Sequence, residues 1–268
     1  MSERIQHADV EGIRVGRISS QLNTTCILYR LGATVIDTGP PNQWRVVRRF
    51  LAEREVERVI VTHHHEDHSG NLARAHRALE PAILSPPASV EAIAGGFALK
   101  PYQRFLWGKP RRVRPAPMPE EIAIGGGLRL RSVAAPGHSD DMTCYLEPER
   151  GFLFTGDLYI ASKTRYLRQD EDLGQQIASL RRVLTLDFDT VFCSHRGVIR
   201  PGKEALAKKL DFLESLCERV RHLRGEGRGL REITRLLLGR EDLMTVLTGF
   251  HFSKRNLIAA CYELTDGA

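Results

Sequence analysis

Cysteine is scarce and scattered in this 268-residue chain: five residues, at positions 26, 144, 193, 217 and 261, with no C-x-x-C pair and an odd total. That pattern excludes a disulfide framework and a thiolate zinc knuckle. Cys144 and Cys193 each lie in an apolar, strand-like run and read as small buried thiols. Long apolar runs are missing as well. Nowhere do about 18 apolar residues follow one another, as a membrane span requires, and the opening MSERIQHADVEG has no apolar stretch of the signal-sequence kind. The expectation is a cytoplasmic protein without a membrane partner. Low-complexity tracts and internal repeats are also absent. What is present is apolar material for a sizeable core, 42% of the chain, which excludes disorder as the default state.

The net charge of +6 is concentrated in one place. Residues 100–114, KPYQRFLWGKPRRVR, carry six positive charges and no acidic residue, which equals the whole excess. Most such runs are solvated surface; this one also suits an anionic small molecule or, with Tyr102, Phe105 and Trp107 interleaved, a nucleic-acid strand.

Short β-rich runs bounded by Gly, Pro or Asp predict strands at 12–18, 25–31, 33–37, 58–62, 128–135, 143–147, 152–156 and 190–194. Helical periodicity predicts helices at 42–55, 69–79 and 173–184. After Pro201 apolar residues recur at steps of three and four from Leu206 to Leu223, no strand candidate follows, and Ser253 is placed to cap a last helix through Leu264. The expected architecture is a mixed α/β (α+β) body over residues 1–200 with a helical C-terminal extension, residues 201–268, packed on it.

The segment THHHEDHSG (62–70) holds four of the ten histidines. From this chain's own composition, H-x-H-x-D-H arises by chance with a probability of roughly 7 in 10,000. His63, His65, Asp67 and His68 are the donors zinc and neighbouring divalent metals favour, and they follow the apolar strand RVIVT, where α/β folds place their sites. His138 in APGHSDD, Asp157 in FTGDL and His195 in FCSHRG each follow an apolar run in the same way. His64 and Glu66 alternate with the ligand candidates and read as supporting residues. His7, His76, His222 and His251 have no such context.

The order H-x-H-x-D-H, His, Asp, His, preceded by ATVIDTG with Asp37, resembles the metallo-β-lactamase superfamily from about residue 25 to 197. The resemblance implies an αββα sandwich with two divalent ions at one edge, zinc first and manganese or iron as alternatives. It implies His63, His65 and His138 on one metal, Asp67, His68 and His195 on the other, Asp157 bridging, and Asp37 orienting ligands. The implied chemistry is hydrolysis of an ester, thioester or lactone bond of a small molecule, anionic ones included in view of the basic segment, by a hydroxide shared between the metals, with Asp67, Asp157 and Tyr159 as catalytic residues. Tyr159 enters through a likeness to lactonases, which place a tyrosine shortly after the bridging aspartate; Lys163 and His64 are the other general-acid candidates. Asp157 counts against class B β-lactamases, which generally lack that aspartate. GDLYIASKTRY lacks the Cys- and Gly-rich continuation usual in glyoxalase II enzymes. Two alternatives stand beside this reading: an (endo)ribonuclease or phosphodiesterase using the basic segment, and a non-catalytic metal-binding regulatory protein. The oligomeric state is open, a dimer through the helical tail included.

Overall fold

The computed structural model describes residues 2–18 and 24–264. Seven strands build the first sheet in chain order: β1 (Ser2–His7), β2 (Val10–Val15), β3 (Cys26–Leu31), β4 (Thr34–Ile36), β5 (Arg58–Ile60), β6 (Ala82–Ser85) and β7 (Ala116–Pro117). The first four are antiparallel neighbours; β4, β5 and β6 run parallel because helices α1 (Trp44–Ala52) and α2 (Leu72–Leu79) make the returns, and β7 pairs parallel to β6. Two short helices, α3 (Val90–Gly95) and α4 (Pro101–Leu106), follow β6.

The second sheet starts with β8 (Glu121–Gly125), β9 (Leu128–Ala134), β10 (Thr143–Glu147) and β11 (Phe152–Gly156). A detour through β12 (Leu167–Arg168) and α5 (Leu173–Leu184) leads to β13 (Thr190–Cys193) and β14 (Gly197–Ile199), giving the order β14-β13-β11-β10-β9-β8. Asp172 starts α5 by accepting the Gln175 amide at 2.9 Å, an N-cap. The tail forms α6 (Gly202–Gly225), α7 (Leu230–Leu238), α8 (Leu243–Leu247), the two-residue strand β15 (Phe252–Ser253) and α9 (Lys254–Leu264).

Why the sheets stack is visible in the alternation of side chains. On β3, Ile27, Tyr29 and Leu31 point between the sheets and Leu28 points to α1; on β11 and β13, Phe152, Phe154 and Phe192 point inward while Leu153, Val191 and Cys193 meet the other helices. A period of two with both faces apolar requires cover on both sides, so the result is four layers, helix-sheet-sheet-helix. Tyr29, Phe154 and Phe192 form the centre, Phe154 stacking on Phe192 at 4.6 Å and Tyr29 edge-on to both. Leu206, Leu213, Leu216 and Val220 of α6 share one cluster with Leu180 and Val183 of α5 and Leu257 and Ile258 of α9.

The αββα class expected from the sequence is observed, with two strands and one helix matching to the residue. Differences fall where pattern is weak. The polar opening pairs as β1 against β2, because one-sided burial through Ile5 suffices on an edge strand. β8 is an exposed edge with only Ile122 and Ile124 turned inward. The expectation of no strand after Pro201 is corrected by β15, whose two residues pair with β12; two residues carry no periodicity to read. All five cysteines are buried and free. Among the described residues no helix is long and apolar enough to cross a membrane.

Truncating Phe192 to Ala removes the ring on which Tyr29, Phe152 and Phe154 pack and is expected to cost about 3–5 kcal/mol, read from the urea unfolding midpoint.

Candidate metal centre

One edge of the sandwich collects every singled-out strand end. β5 runs into Thr62–His68, β9 leads to His138, β11 ends at Asp157 and β13 ends at His195. Gly156 makes the turn before Asp157: its φ is +49°, and a Cβ there would lie 2.4 Å from Met142 and 3.0 Å from Thr62, so only glycine fits.

Two groups of donors face each other. His63, His65 and His138 bring ring nitrogens together, with His63 Nε2 at 2.8 Å and His138 Nε2 at 3.1 Å from His65 Nδ1. Asp67, His68 and His195 form the second group, in which the Asp67 oxygens stand 3.8 Å from His68 Nε2 and from His195 Nε2. Asp157 lies between them. Its Oδ2 is 3.3 Å from His138 Nε2; its Oδ1 is 3.3 Å from His68 Nε2 and 3.0 Å from His195 Nε2.

Each imidazole is aimed by a partner behind it. Nδ1 of His68 meets Asp37 at 2.8 Å, that of His138 meets Glu171 at 2.7 Å, that of His195 donates to the Thr25 carbonyl at 2.6 Å, and that of His63 meets Thr62 Oγ1 at 3.0 Å. These contacts turn Nε2 of all four rings inward, whereas His65 presents Nδ1. Asp37 is itself fixed: it takes φ +62° and accepts the Thr62 amide at 2.8 Å and hydroxyl at 3.1 Å.

The donor set fits divalent metal ions. All seven residues are buried, and burial keeps the His63 and His65 rings far below their ordinary pKa, hence neutral, as ligands must be. Against the burial that opposes it, the neighbouring His195, His68 and His138 hold the Asp157 carboxyl well below the usual range. His68 Nε2 and Asp157 Oδ1 are buried without a hydrogen-bond partner. Three ring nitrogens crowded about 3 Å apart cannot all be satisfied by protons on one another; a cation among them satisfies them together.

The cavity in front of this cluster has a volume of about 330 Å³. His65, Glu66, Asp67, His138, Asp157 and His195 form its floor. Its walls are apolar: Phe105, Leu106 and Trp107 from α4 and the residue after it, Ile160, and Met244, Leu247 and Phe252 from the tail. The aromatic residues of the basic segment therefore cover the cavity, while Arg111, Arg112 and Arg114 are exposed and Arg114 pairs with Glu91.

Other residues land differently from expectation. Tyr159 packs in the cluster between the second sheet and the helices, its carbonyl facing the Cys193 thiol, and it does not line the cavity; two residues past Asp157 the chain has already turned into the core. Lys163 is exposed and outside the lining. His64 turns away, held through its amide and Nδ1 by Asp141 at 2.8 and 2.9 Å. Glu66 does line the cavity. Its Oε1 accepts from Gln103 at 2.9 Å, its Oε2 is buried without a partner, and burial beside Asp67 pushes its carboxyl up to about 7. His251, which had no context in the sequence, is buried between Tyr102 Oη at 2.6 Å and Asp170 at 3.1 Å. Glu171, Asp141, Arg168 and Gln103 were not singled out; only Asp141, in HSDD beside His138, and Glu171, in the acidic run before α5, had a neighbour in sequence that could have drawn attention.

These features define a class. The sequence model of the metallo-beta-lactamase superfamily matches residues 20–195, two thirds of the sequence, and the chain belongs to that superfamily. Curated relatives include the thioesterase pkgB of Emericella nidulans, 29% identical over 78% of this chain and 56% of that protein, and an atrochrysone carboxyl ACP thioesterase of Aspergillus fumigatus, 26% identical over 66% and 51%. The chain thus spans little more than half the length of the curated relatives it matches. Among solved structures, a beta-lactamase domain protein from Burkholderia ambifaria superposes with a TM-score of 0.76 at 19% identity, covering 98% of this chain and 88% of that one, which shows the fold.

Asp141 accepts from the His64 amide, the His64 ring and the Ser89 hydroxyl at once. Replacing it with Ala strands buried donors and is expected to cost about 1–3 kcal/mol, seen as a lowered midpoint in chemical denaturation.

Proposed function

We propose that this chain is a metal-dependent hydrolase that cleaves a thioester or ester bond of a small molecule, with lactones in the same chemical reach. The observation that carries the reading is the convergence of two donor groups around Asp157 on the floor of an apolar cavity. In this reading His63, His65 and His138 would hold one ion, Asp67, His68 and His195 would hold a second, and the Asp157 carboxylate between the two groups would offset the repulsion between two cations. The nitrogen and oxygen donors suit zinc first, with manganese and iron as alternatives. Bound there, such ions supply Lewis acidity and an activated water to the hydrolysis.

The protein's own residues supply position. Asp37, Glu171, Thr62 and the Thr25 carbonyl fix which nitrogen of each ring faces the centre. The apolar walls exclude water from the substrate's flank and bind its hydrocarbon part. Residues 201–268 act as an extension of the 1–200 body that completes the cavity, since Met244, Leu247, Thr248 and Phe252 all line it. Relatives named thioesterases support the bond type. The same walls disfavour a phosphodiester strand as substrate.

Elemental analysis of the purified protein is expected to find two divalent ions per chain, and a panel of esters, thioesters, lactones and RNA is expected to show turnover of the acyl substrates; metal without any turnover would favour a regulatory protein, and RNA cleavage would favour the nuclease. Asp157→Asn should lower metal content and turnover together, and Glu171→Gln should weaken metal affinity roughly 10–100-fold, followed by chelator competition.

Tyr159→Phe tests the remaining catalytic candidate. From its place in the core, kcat is expected to stay within twofold of the parent; a loss of a hundredfold or more with metal content intact would put the phenol back into the reaction.

A further inference from the structure

Among the described residues Arg168 is the one arginine or lysine lining the cavity. It stands on β12, opposite Phe252 of β15, and is 7% exposed. Two arms of its guanidinium are spoken for: Nε and Nη2 donate to the two oxygens of Asp170 at 2.9 and 2.7 Å, a bidentate pair that fixes the plane of the group. Asp170 is in turn held by His251, and His251 by Tyr102 of α4. The third arm is different. Among the described residues the contact of Nη1 is His65 Nδ1 at 3.4 Å, the same nitrogen that faces His63 and His138. A lone pair given to a metal ion accepts no hydrogen bond, so in the metal-bound protein this arm is a buried, permanently charged donor beside the centre with its acceptor still to come.

The acceptor has to be an oxygen of something entering the cavity. Glu66, Asp67 and Glu171 line the same floor, but among the described residues Nη1 reaches none of them: Glu66 Oε1 accepts from Gln103 and its Oε2 has no partner, Glu171 meets His138 and the Arg168 amide, and Asp67 faces the His68 and His195 rings. Opposite the floor, Leu106, Trp107, Met244, Leu247 and Phe252 offer hydrocarbon. A ligand that uses both ends carries an oxygen of high electron density at one end and an apolar body at the other.

We propose that the cavity binds an apolar acyl group, with Arg168 Nη1 holding an acyl oxygen beside the metal ligands and the hydrocarbon body lying on the wall formed by Leu106, Trp107, Met244, Leu247 and Phe252. The inference rests on the hydrolase reading for its acyl substrate, and it names what that reading leaves open: the substrate is a medium-chain or similarly bulky apolar acyl thioester or ester, and the carboxylate it releases is bound by the same arginine. Small acyl groups such as acetyl leave the wall uncovered, so they bind more weakly. Arg168 is then a substrate-binding residue whose orientation is set from behind by Asp170, His251 and Tyr102.

The test is calorimetric binding of decanoate, acetate and 1-decanol to the protein carrying its own metals, for the parent and for Arg168→Lys and Arg168→Met. Lysine keeps the charge but loses the fork, so it guards against a variant that fails to fold; metal content and melting temperature are measured for both. Decanoate is expected to bind at least tenfold more tightly than acetate. Both substitutions are expected to weaken decanoate at least tenfold while changing 1-decanol, which has no acyl oxygen, less than twofold. Equal weakening of decanoate and 1-decanol would assign Arg168 a structural role only and overturn the proposal, as would decanoate binding that neither substitution changes, or acetate and decanoate binding alike. Turnover of decanoyl esters by the parent is measured in parallel. Its absence would count against the hydrolase reading, whereas the binding result stands or falls without catalysis.

Discussion

Buried imidazoles facing one another are the constraint on which the rest of this structure depends. Within a water-poor pocket each ring nitrogen needs a partner, and here the outward nitrogens of four histidines have theirs: the carboxylates of Asp37 and Glu171, the Thr62 hydroxyl and the Thr25 carbonyl. Only then do the inward nitrogens point at a common centre. The cost of holding so many polar groups out of water is met in part by anchors such as Asp37, whose left-handed backbone and two hydrogen bonds from Thr62 couple β4 to β5.

The sandwich gives these anchors their rigidity. β5, β11 and β13 all end at the same edge, and the aromatic stack of Tyr29, Phe154 and Phe192 locks the two sheets a few residues away. Tyr29 ties the layers further by donating its hydroxyl to the Cys193 carbonyl at 2.7 Å, two residues before His195. A shift of one sheet against the other would therefore move ligands of both donor groups, so core packing and site geometry are one problem.

The cavity is a different kind of object. Its floor comes from strand ends, its walls from α4 and from the segment 243–253, and the two walls meet through Tyr102 and His251.

The sequence by itself determined the layers and the floor. Strands with two apolar faces could be satisfied only by double cover, and H-x-H-x-D-H with three later strand-end residues marked candidate donors that the fold brings to one edge, because both signals are local. Short edge strands such as β15 and β8 left too few buried positions to read. Tertiary structure alone decided which partner stands behind each ring, that Tyr159 turns into the core, that the apolar residues of the basic segment face the cavity, and that Arg168, Asp170, His251 and Tyr102 form one chain of contacts. Those residues lie up to 149 positions apart, and each is by itself an ordinary polar residue; only their meeting in a low-dielectric pocket, where an unpaired donor is costly, gives them a role.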